Sequence, residues 1–238
     1  MSKKQKLRTQ PPPEVADVSA ETPEPLKPPQ GFKLLVSVPA TKTSHMQHQQ
    51  QVLDAIEKAC EGYEYDLDVG EANDLGWRHV VDQFNRVASK VVAEGYDLVL
   101  IVESDVAPPP GALQKLVAAD VDVASAVVKY HRYSNQPLDE LYKDLVCVGY
   151  FLSENRLAPI HNASRSEIEG KTWTFKTNPL MLAGTGCILI KRRVFEKGTR
   201  FICNYGYASY DVFFWRDIRK AGFNAVIDGN VFCEHLGE

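Results

Sequence analysis

The fold class is indicated most clearly by Asp97-Leu98-Val99-Leu100-Ile101-Val102-Glu103-Ser104-Asp105-Val106. Its apolar run predicts a buried strand, and the turn-forming residues Pro108-Pro109-Pro110-Gly111 follow closely. Glu103 and Asp105 therefore lie at the carboxyl end of that strand. In an extended chain, side chains at positions i and i+2 point to the same side, about 6.5–7 Å apart, so both could reach one divalent cation or its bound waters. The sequence thus predicts a metal site at this strand end.

The same acids also allow a purely structural interpretation. Acidic residues after a strand often solvate a turn and cap the next helix, which is expected here from Pro109 to Ala118. Because the motif is only three residues long, the rest of the chain has to decide between the two interpretations.

The composition predicts one globular domain preceded by a tail. The 238 residues are 44% hydrophobic and 24% charged, which is enough for one full-sized core. Seven of the fourteen prolines fall within residues 1–30, a stretch that begins with Lys3, Lys4, Lys6 and Arg8 and contains few bulky apolar residues. Such a stretch cannot bury enough surface to offset its ordering entropy, so we expect a disordered, partly polyproline tail.

The chain carries no sequence signal for secretion or membrane insertion. The tail lacks an apolar signal region, and no apolar run approaches the roughly 20 residues that span a bilayer. The five cysteines are odd in number and form no CxxC pair, which favours free thiols over disulfides or structural zinc. We therefore expect a cytoplasmic protein. The net charge of −4 argues against nucleic-acid binding by the whole surface, although the basic start of the tail could make a weak contact.

Strands and helices alternate in the first half of the chain. Strands are expected at residues 32–38, 63–69, 97–101 and 121–128, and helices at 46–60, 75–94 and 109–118. No tight hairpin joins these strands. This alternation predicts an α/β fold with a doubly wound, mostly parallel sheet, in which ligands bind beyond the carboxyl ends of the strands.

The second half differs in character. Residues 130–180 are loop-rich and aromatic, with one strand expected near Leu145 to Leu152. This composition suits recognition of a polar, ring-shaped acceptor, but it also suits an ordinary excursion of antiparallel strands. The expected elements beyond it are a glycine-flanked turn and strand at 182–191, a helix at 210–221, and short strands at 225–227 and 231–235.

Five motifs follow one another in a particular order. They are Pro39-Ala40-Thr41 after the first strand, Glu103-Ser104-Asp105, the loop Ala183-Gly184-Thr185-Gly186-Cys187, Tyr210-Asp211 at a helix start, and His235 after Asp228-Gly229-Asn230-Val231. In this order they resemble motifs of the GT-A-fold glycosyltransferases, particularly family 2. The resemblance runs from about Leu34 to the last residues. Arg78 and Asn85 loosely match a further polar patch of that family.

The resemblance implies a GT-A (Rossmann-like) domain over residues 31–238, with a nucleotide-sugar half at 31–128 and an acceptor and catalytic half at 129–238. It implies a metal-dependent transferase that moves a hexose from a UDP- or GDP-sugar to an acceptor hydroxyl on a glycan, lipid, protein or modified nucleic-acid base. A divalent ion is needed because negative charge grows on the departing diphosphate. The implied ligands of Mn²⁺ or Mg²⁺ are Glu103, Asp105 and His235.

The resemblance also assigns the other residues of the site. Asp211 would take the proton from the attacking hydroxyl, although an N-cap role, or substrate positioning in a retaining enzyme, stays open. Burial would raise the pKa of Asp211 and the positive helix terminus would lower it, so the direction is open. Glu71, just beyond the second strand, could meet the base or ribose. The implied nucleotide-sugar contacts are Pro39, Ala40, Thr41, Arg78, Asn85, Glu103, Ser104 and Asp105, and the implied sugar or acceptor contacts are Gly184, Thr185, Gly186 and Tyr210.

Two departures from the family pattern keep other functions open. Glu103 replaces the first Asp of the Asp-x-Asp motif, and Tyr210 replaces a Glu, which slightly favours a noncatalytic carbohydrate- or partner-binding domain on the same fold. A sugar nucleotidyltransferase is a further alternative. It would be expected to carry a glycine-rich, basic loop after the first strand, and Pro39-Ala40-Thr41-Lys42 is not such a loop.

Overall fold

The computed structural model describes residues 31–40, 47–71, 77–130, 144–151, 160–202 and 210–236, with only the backbone of Trp77 and Arg78. The predicted tail and Thr41 lie outside these ranges. In chain order the first elements are β1 (Leu34–Val38), α1 (Gln49–Ala59), β2 (Asp66–Val69), α2 (Trp77–Ala93), β3 (Leu98–Val102), β4 (Val106–Ala107), α3 (Ala112–Ala118) and β5 (Val123–Val128). The remaining ones are β6 (Leu145–Phe151), β7 (Ile160–Ser164), α4 (Arg165–Ile168), β8 (Thr172–Thr174), β9 (Met181–Ala183), β10 (Cys187–Lys191), α5 (Arg192–Glu196), α6 (Tyr210–Lys220) and β11 (Ala225–His235).

The main sheet has the strand order β2-β1-β3-β10-β5-β11-β4, with β8 also paired to β11. Strands β2, β1, β3, β5 and β11 run in one direction, whereas β10 lies between β3 and β5 and is antiparallel to both. The predicted α/β class with a mostly parallel sheet is confirmed. The antiparallel β10 was not predicted, because a buried strand shows the same apolar run whichever way it points.

Helices cover both faces of this sheet, so its central strands are buried on both sides. On β1, Leu35 joins one apolar cluster, which contains Phe84 and Val87 of α2. Leu34 and Val36 join a second cluster on the opposite face, with residues of α1 and α3. Such burial explains why the central strands read as continuous apolar runs.

A smaller antiparallel sheet, in the order β7-β6-β9, forms the predicted excursion of antiparallel strands. The sequence indicated only β6 of this sheet. Strands β7, β8 and β9 are three to five residues long, which is too short for a clear alternation of polar and apolar residues. Among the described helices, none has the length and apolarity that a membrane span requires.

One long strand, β11, replaces the two short strands expected near the end of the chain. Its pairing with β5 shifts register between Asp228 and Phe232. Gly229 lies in this irregular stretch, where its N–H donates to the carbonyl of Lys171 at 2.8 Å, and a Cβ added there would come within 1.9 Å of the Ile168 carbonyl oxygen. The bulge lets β11 continue past β5 and pair with β4, and this pairing carries His235 to the site.

Candidate functional site

The motif Glu103-Ser104-Asp105 lies directly after β3 and forms a turn. The N–H of Val106 donates to the Glu103 carbonyl at 3.0 Å, so the segment is not extended. The expectation that Glu103 and Asp105 project to the same side of an extended chain is therefore wrong. The turn arises because β4 begins at once and has to reverse the chain towards β11. The two carboxylates have different neighbours as a result.

Asp105 and His235 lie side by side. The Nε2 atom of His235 is 3.3 Å from Oδ2 of Asp105, and both side chains are largely buried, at 14% and 6% exposure. Backbone pairing holds them there, because His235 is in register with Val106 and the N–H of Leu236 donates to the Asp105 carbonyl at 2.7 Å. Asp105 and His235, which the resemblance implies as ligands of one ion although they are far apart in the sequence, are thus in contact in the fold.

Glu103 has a different set of partners. Its Oε1 atom accepts one hydrogen bond from the Thr185 hydroxyl at 2.8 Å and another from the Tyr210 hydroxyl at 2.9 Å. Burial raises the pKa of Glu103 to about 7, and the charge of Asp105 adds to the rise, whereas the two hydroxyls and His235 oppose it. Burial also raises the pKa of Tyr210, and Glu103 contributes further. The hydroxyl of Tyr210 therefore stays protonated and remains a donor.

Two of the three predicted ligands are placed where they could bind one divalent ion. Within the described ranges no three side chains of His, Cys, Asp or Glu are grouped to hold one ion. Asp105 and His235 nevertheless fit neighbouring positions on an ion, because two such ligands of an octahedral site with bonds of about 2.1 Å lie about 3 Å apart. Carboxylate and imidazole suit Mn²⁺, and phosphate oxygens and waters can complete its shell. Glu103 as a third ligand stays a prediction.

Asp211 is the second residue of α6 and is partly buried. Its Oδ1 atom accepts from the N–H of Val212 at 2.7 Å. Burial raises the pKa of Asp211 to about 6, while hydrogen bonds from backbone N–H groups oppose the rise. The direction that the sequence left open is therefore upward. A carboxylate with this pKa is mostly ionised at neutral pH and is close to the range that suits a general base.

The loop before β10 packs tightly against its neighbours. A Cβ on Gly186 would lie 2.9 Å from a methyl group of Val128 and 3.1 Å from one of Val106, and a Cβ on Gly184 would lie 3.2 Å from Cβ of Cys147. A side chain at position 186 would require Val128 to shift, whereas one at position 184 would make only a tight contact with Cys147. Contact of either glycine with sugar or acceptor stays a prediction. The Gly186 carbonyl also accepts from the Glu103 N–H at 2.9 Å, which ties this loop to the turn after β3.

The loop after β1 is held by a residue that the sequence analysis did not single out. Buried Gln83 of α2 accepts from the N–H of Ala40 at 3.2 Å and donates to its carbonyl at 2.6 Å. Its amide also donates to the carbonyl of the exposed Glu71 at 3.2 Å. The sequence did contain a sign of this role, because Gln83 is a polar amide residue next to the apolar face of α2. Gln83 thereby fixes the backbone of Pro39-Ala40 at the sheet edge.

The other predicted nucleotide contacts divide into three groups. Asn85 is bound to the backbone of Phe201, donating to its carbonyl at 2.9 Å and accepting from its N–H at 3.0 Å. Ser104 is buried in the turn after β3. Of Arg78 only the helical backbone is described, and Thr41 lies outside the described residues. A role of any of these residues in nucleotide binding stays a prediction.

Comparison with known proteins gives a likeness of fold. No family model and no curated protein sequence matches the chain. Among solved structures, A197 from STIV matches with a TM-score of 0.52 at 16% identity, over 87% of each chain. GalNAc-T7, solved with UDP, GalNAc and Mn²⁺, matches with a TM-score of 0.47 at 12% identity, over 86% of this chain and 44% of its own. CMP:2-keto-3-deoxy-manno-octonic acid synthetase, solved with CTP, matches with a TM-score of 0.44 at 13% identity, over 87% of this chain and 92% of its own.

Proposed function

We propose that the chain is a metal-dependent glycosyltransferase that moves a hexose from a UDP- or GDP-sugar to an acceptor hydroxyl. The observation that carries this proposal is the contact of 3.3 Å between Asp105 and His235 at the carboxyl edge of the sheet. This edge is where an α/β sheet of this kind binds ligands. Burying a carboxylate beside an imidazole costs free energy, and ionisable groups that a fold holds at such a cost cluster at functional sites.

Each residue has a specific task in this proposal. Asp105 and His235 would hold Mn²⁺ or Mg²⁺, and the ion would supply positive charge that stabilises the departing diphosphate. Asp211 accepts the proton of the acceptor hydroxyl, since a partly buried carboxylate with a pKa of about 6 is ionised at neutral pH and basic enough for transfer. The acceptor oxygen then bonds to the anomeric carbon. The bond from that carbon to the diphosphate oxygen breaks, and its electron pair leaves with the nucleoside diphosphate.

The test of donor binding is a melting-temperature panel of UDP, GDP and CDP, each with and without Mn²⁺. A ligand that binds only the folded state raises the melting temperature by mass action. We expect a Mn²⁺-dependent rise for UDP or GDP. Asp105→Ala should abolish it, whereas Asp120→Ala should retain it, because Asp120 is an acid with an 89% exposed side chain whose partner is Lys191.

Chemistry is tested separately from binding. Release of nucleoside diphosphate from UDP-glucose, UDP-galactose and GDP-mannose is measured with Mn²⁺ for the wild type and for Asp211→Ala. We expect Asp211→Ala to keep the thermal shift and lose at least a hundredfold in turnover, which is within the range for loss of a general base. If Asp211→Ala loses the shift and Asp105→Ala keeps it, the assigned roles are wrong.

A noncatalytic binding domain is the second candidate. It is favoured by the engagement of Glu103, whose Oε1 atom already accepts two hydrogen bonds from protein hydroxyls. A binder should show the thermal shift and release no nucleoside diphosphate from any of the three donors. Turnover above the metal-free background would exclude it.

A further inference from the structure

The two residues that depart from the glycosyltransferase pattern, Glu103 and Tyr210, are hydrogen-bonded to each other at 2.9 Å. We propose that Glu103 is a positioning residue that fixes the start of α6, and with it Asp211, and that it is not a ligand of the metal ion. This inference rests on the proposed function, because it takes Asp211 as the base and Asp105 and His235 as the ligands.

The hydrogen bonds of Glu103 join three parts of the chain. Its own turn follows β3, Thr185 belongs to the loop before β10, and Tyr210 is the first residue of α6. Both hydroxyl donors are buried, Thr185 at 2% exposure and Tyr210 at 6%. Hydrogen bonds from buried donors to a carboxylate are stronger than fully exposed ones and have few alternative geometries. The side chain of Glu103 therefore clamps the loop and the helix start to the sheet edge.

The ring of Tyr210 is itself held in place. Its centroid lies 5.3 Å from that of Phe84 on α2 and 6.4 Å from that of Phe201. Because the ring is packed and its hydroxyl is bound, the first turn of α6 has a defined position relative to β3. Asp211 is the next residue in that turn. A change in the bond between Glu103 and Tyr210 should therefore move the Asp211 carboxylate relative to the bound substrate, where a displacement of 1 Å can cost a hundredfold in rate.

Substitutions that change either the length or the charge of Glu103 distinguish a positioning role from metal binding. An Asp at position 103 would keep the charge but shorten the side chain by one carbon–carbon bond, about 1.5 Å, and both hydroxyls would lose their acceptor. A Gln would lose the charge, but its amide oxygen can still accept both hydrogen bonds. A positioning residue should therefore tolerate Gln better than Asp. A metal ligand should show the opposite order, because it needs the carboxylate.

The experiment measures kcat and donor KM with Mn²⁺ for the wild type, E103Q, E103D, Y210F and the double variant E103D/Y210F. We expect E103D and Y210F each to lose at least tenfold in kcat with donor KM within threefold, and E103Q to retain at least fivefold more kcat than E103D. The double variant should be no worse than E103D alone, since both changes break the same contact. Additive losses, or a better E103D than E103Q, would overturn the inference.

The matched control is Y96F. Tyr96 donates a hydrogen bond of 2.7 Å to Asp66, it is 3% exposed, and it precedes β3 at the opposite edge of the sheet. Its removal also breaks a hydrogen bond from a buried tyrosine to a carboxylate, but kcat should stay within twofold of wild type. If Y96F lowers kcat as much as Y210F does, the effect of Y210F is a general loss of stability and the inference fails.

A second readout is independent of turnover. Binding of Mn²⁺ in the presence of UDP is followed by water-proton relaxation for the wild type, E103Q and D105A. We expect E103Q to bind within threefold of wild type and D105A to bind at least tenfold more weakly. If E103Q loses Mn²⁺ as D105A does, Glu103 is a ligand and only this inference falls. If the wild type neither binds Mn²⁺ with a nucleoside diphosphate nor turns over a donor, the proposed function falls, and the inference with it.

Discussion

Replacing Asp211 by Asn should stabilise the protein, and the gain should grow with pH. Burial raises the pKa of this carboxyl from 3.8 to about 6, so the folded state binds the proton more tightly than the unfolded state does. As pH rises between these two values, the unfolded chain ionises first, and the free energy of unfolding falls. Above pH 6 the full cost of the ionised, partly buried carboxylate is present. An amide at this position has no such cost.

The size of the gain follows from the shift. A pKa difference of roughly two units corresponds to about 3 kcal/mol at pH 8, and the same linkage gives about 1 kcal/mol at pH 4.5. The difference of about 2 kcal/mol is an upper bound, because the side chain keeps some contact with solvent. We therefore expect the stability gain of Asp211→Asn to grow by about 1–2 kcal/mol over this pH range.

The measurement is urea unfolding of wild type and variant at intervals from pH 4.5 to pH 8, with the free energies compared at each pH. Asp120→Asn is the control. Its carboxylate is exposed, and the hydrogen bond from Lys191 lowers its pKa, so its contribution is present at neutral pH and is lost on acidification. Because that loss occurs at and below the unfolded pKa of 3.8, the difference in stability between this variant and the wild type should be nearly constant from pH 4.5 to pH 8. A gain for Asp211→Asn that is constant, or that shrinks towards pH 8, would show that folding does not raise the pKa of this carboxyl.

Three further outcomes are expected. Turnover of the wild type should rise with pH through about 6 as Asp211 loses its proton, and a pH-independent rate would contradict its role as base. Gly229→Ala should cost about 3 kcal/mol in urea unfolding, because its Cβ would meet a carbonyl oxygen at 1.9 Å, whereas Gly198→Ala, strained at φ +89° but in open space, should cost about 1–2 kcal/mol; equal losses would be inconsistent with the packing. Gln83→Ala should cost about 2–4 kcal/mol, since the loop after β1 then has an unpaired buried donor and acceptor, and a loss below 1 kcal/mol would show that water replaces them.

The sequence predicted the parts of the fold that depend on local pattern. The apolar run of β3 and the helical period of α2 are strong signals, and both elements are found within two residues of their expected bounds. Shorter elements carry no such signal. The direction of β10 also cannot be predicted from its own residues, because it depends on how β10 pairs with β3 and β5. The register shift at Gly229 depends on the docking of the Ile168 to Lys171 segment, which is far away in the sequence.

The candidate site shows the same division. The approach of His235 to Asp105 was anticipated through the order of motifs. The partners of Glu103 were not, because its bonds to Thr185 and Tyr210 cross the fold and depend on side-chain length. The assumption of an extended chain through Glu103 also failed, since whether a strand continues for two more residues is decided by the neighbour with which it pairs. Here that neighbour is β11, which pairs with β4 after the turn.

The place of β10 between β3 and β5 has a consequence for synthesis on the ribosome. When residue 128 has been added, β3 and β5 exist as sequence, but the strand that separates them, Cys187–Lys191, has yet to be translated. The nascent chain would then expose one apolar edge of β3 and both edges of β5, because β11, the other neighbour of β5, is also untranslated. Such a state is prone to aggregate. A truncated polypeptide ending at residue 128 should accordingly be insoluble on its own, and the complete sheet should close only late in translation.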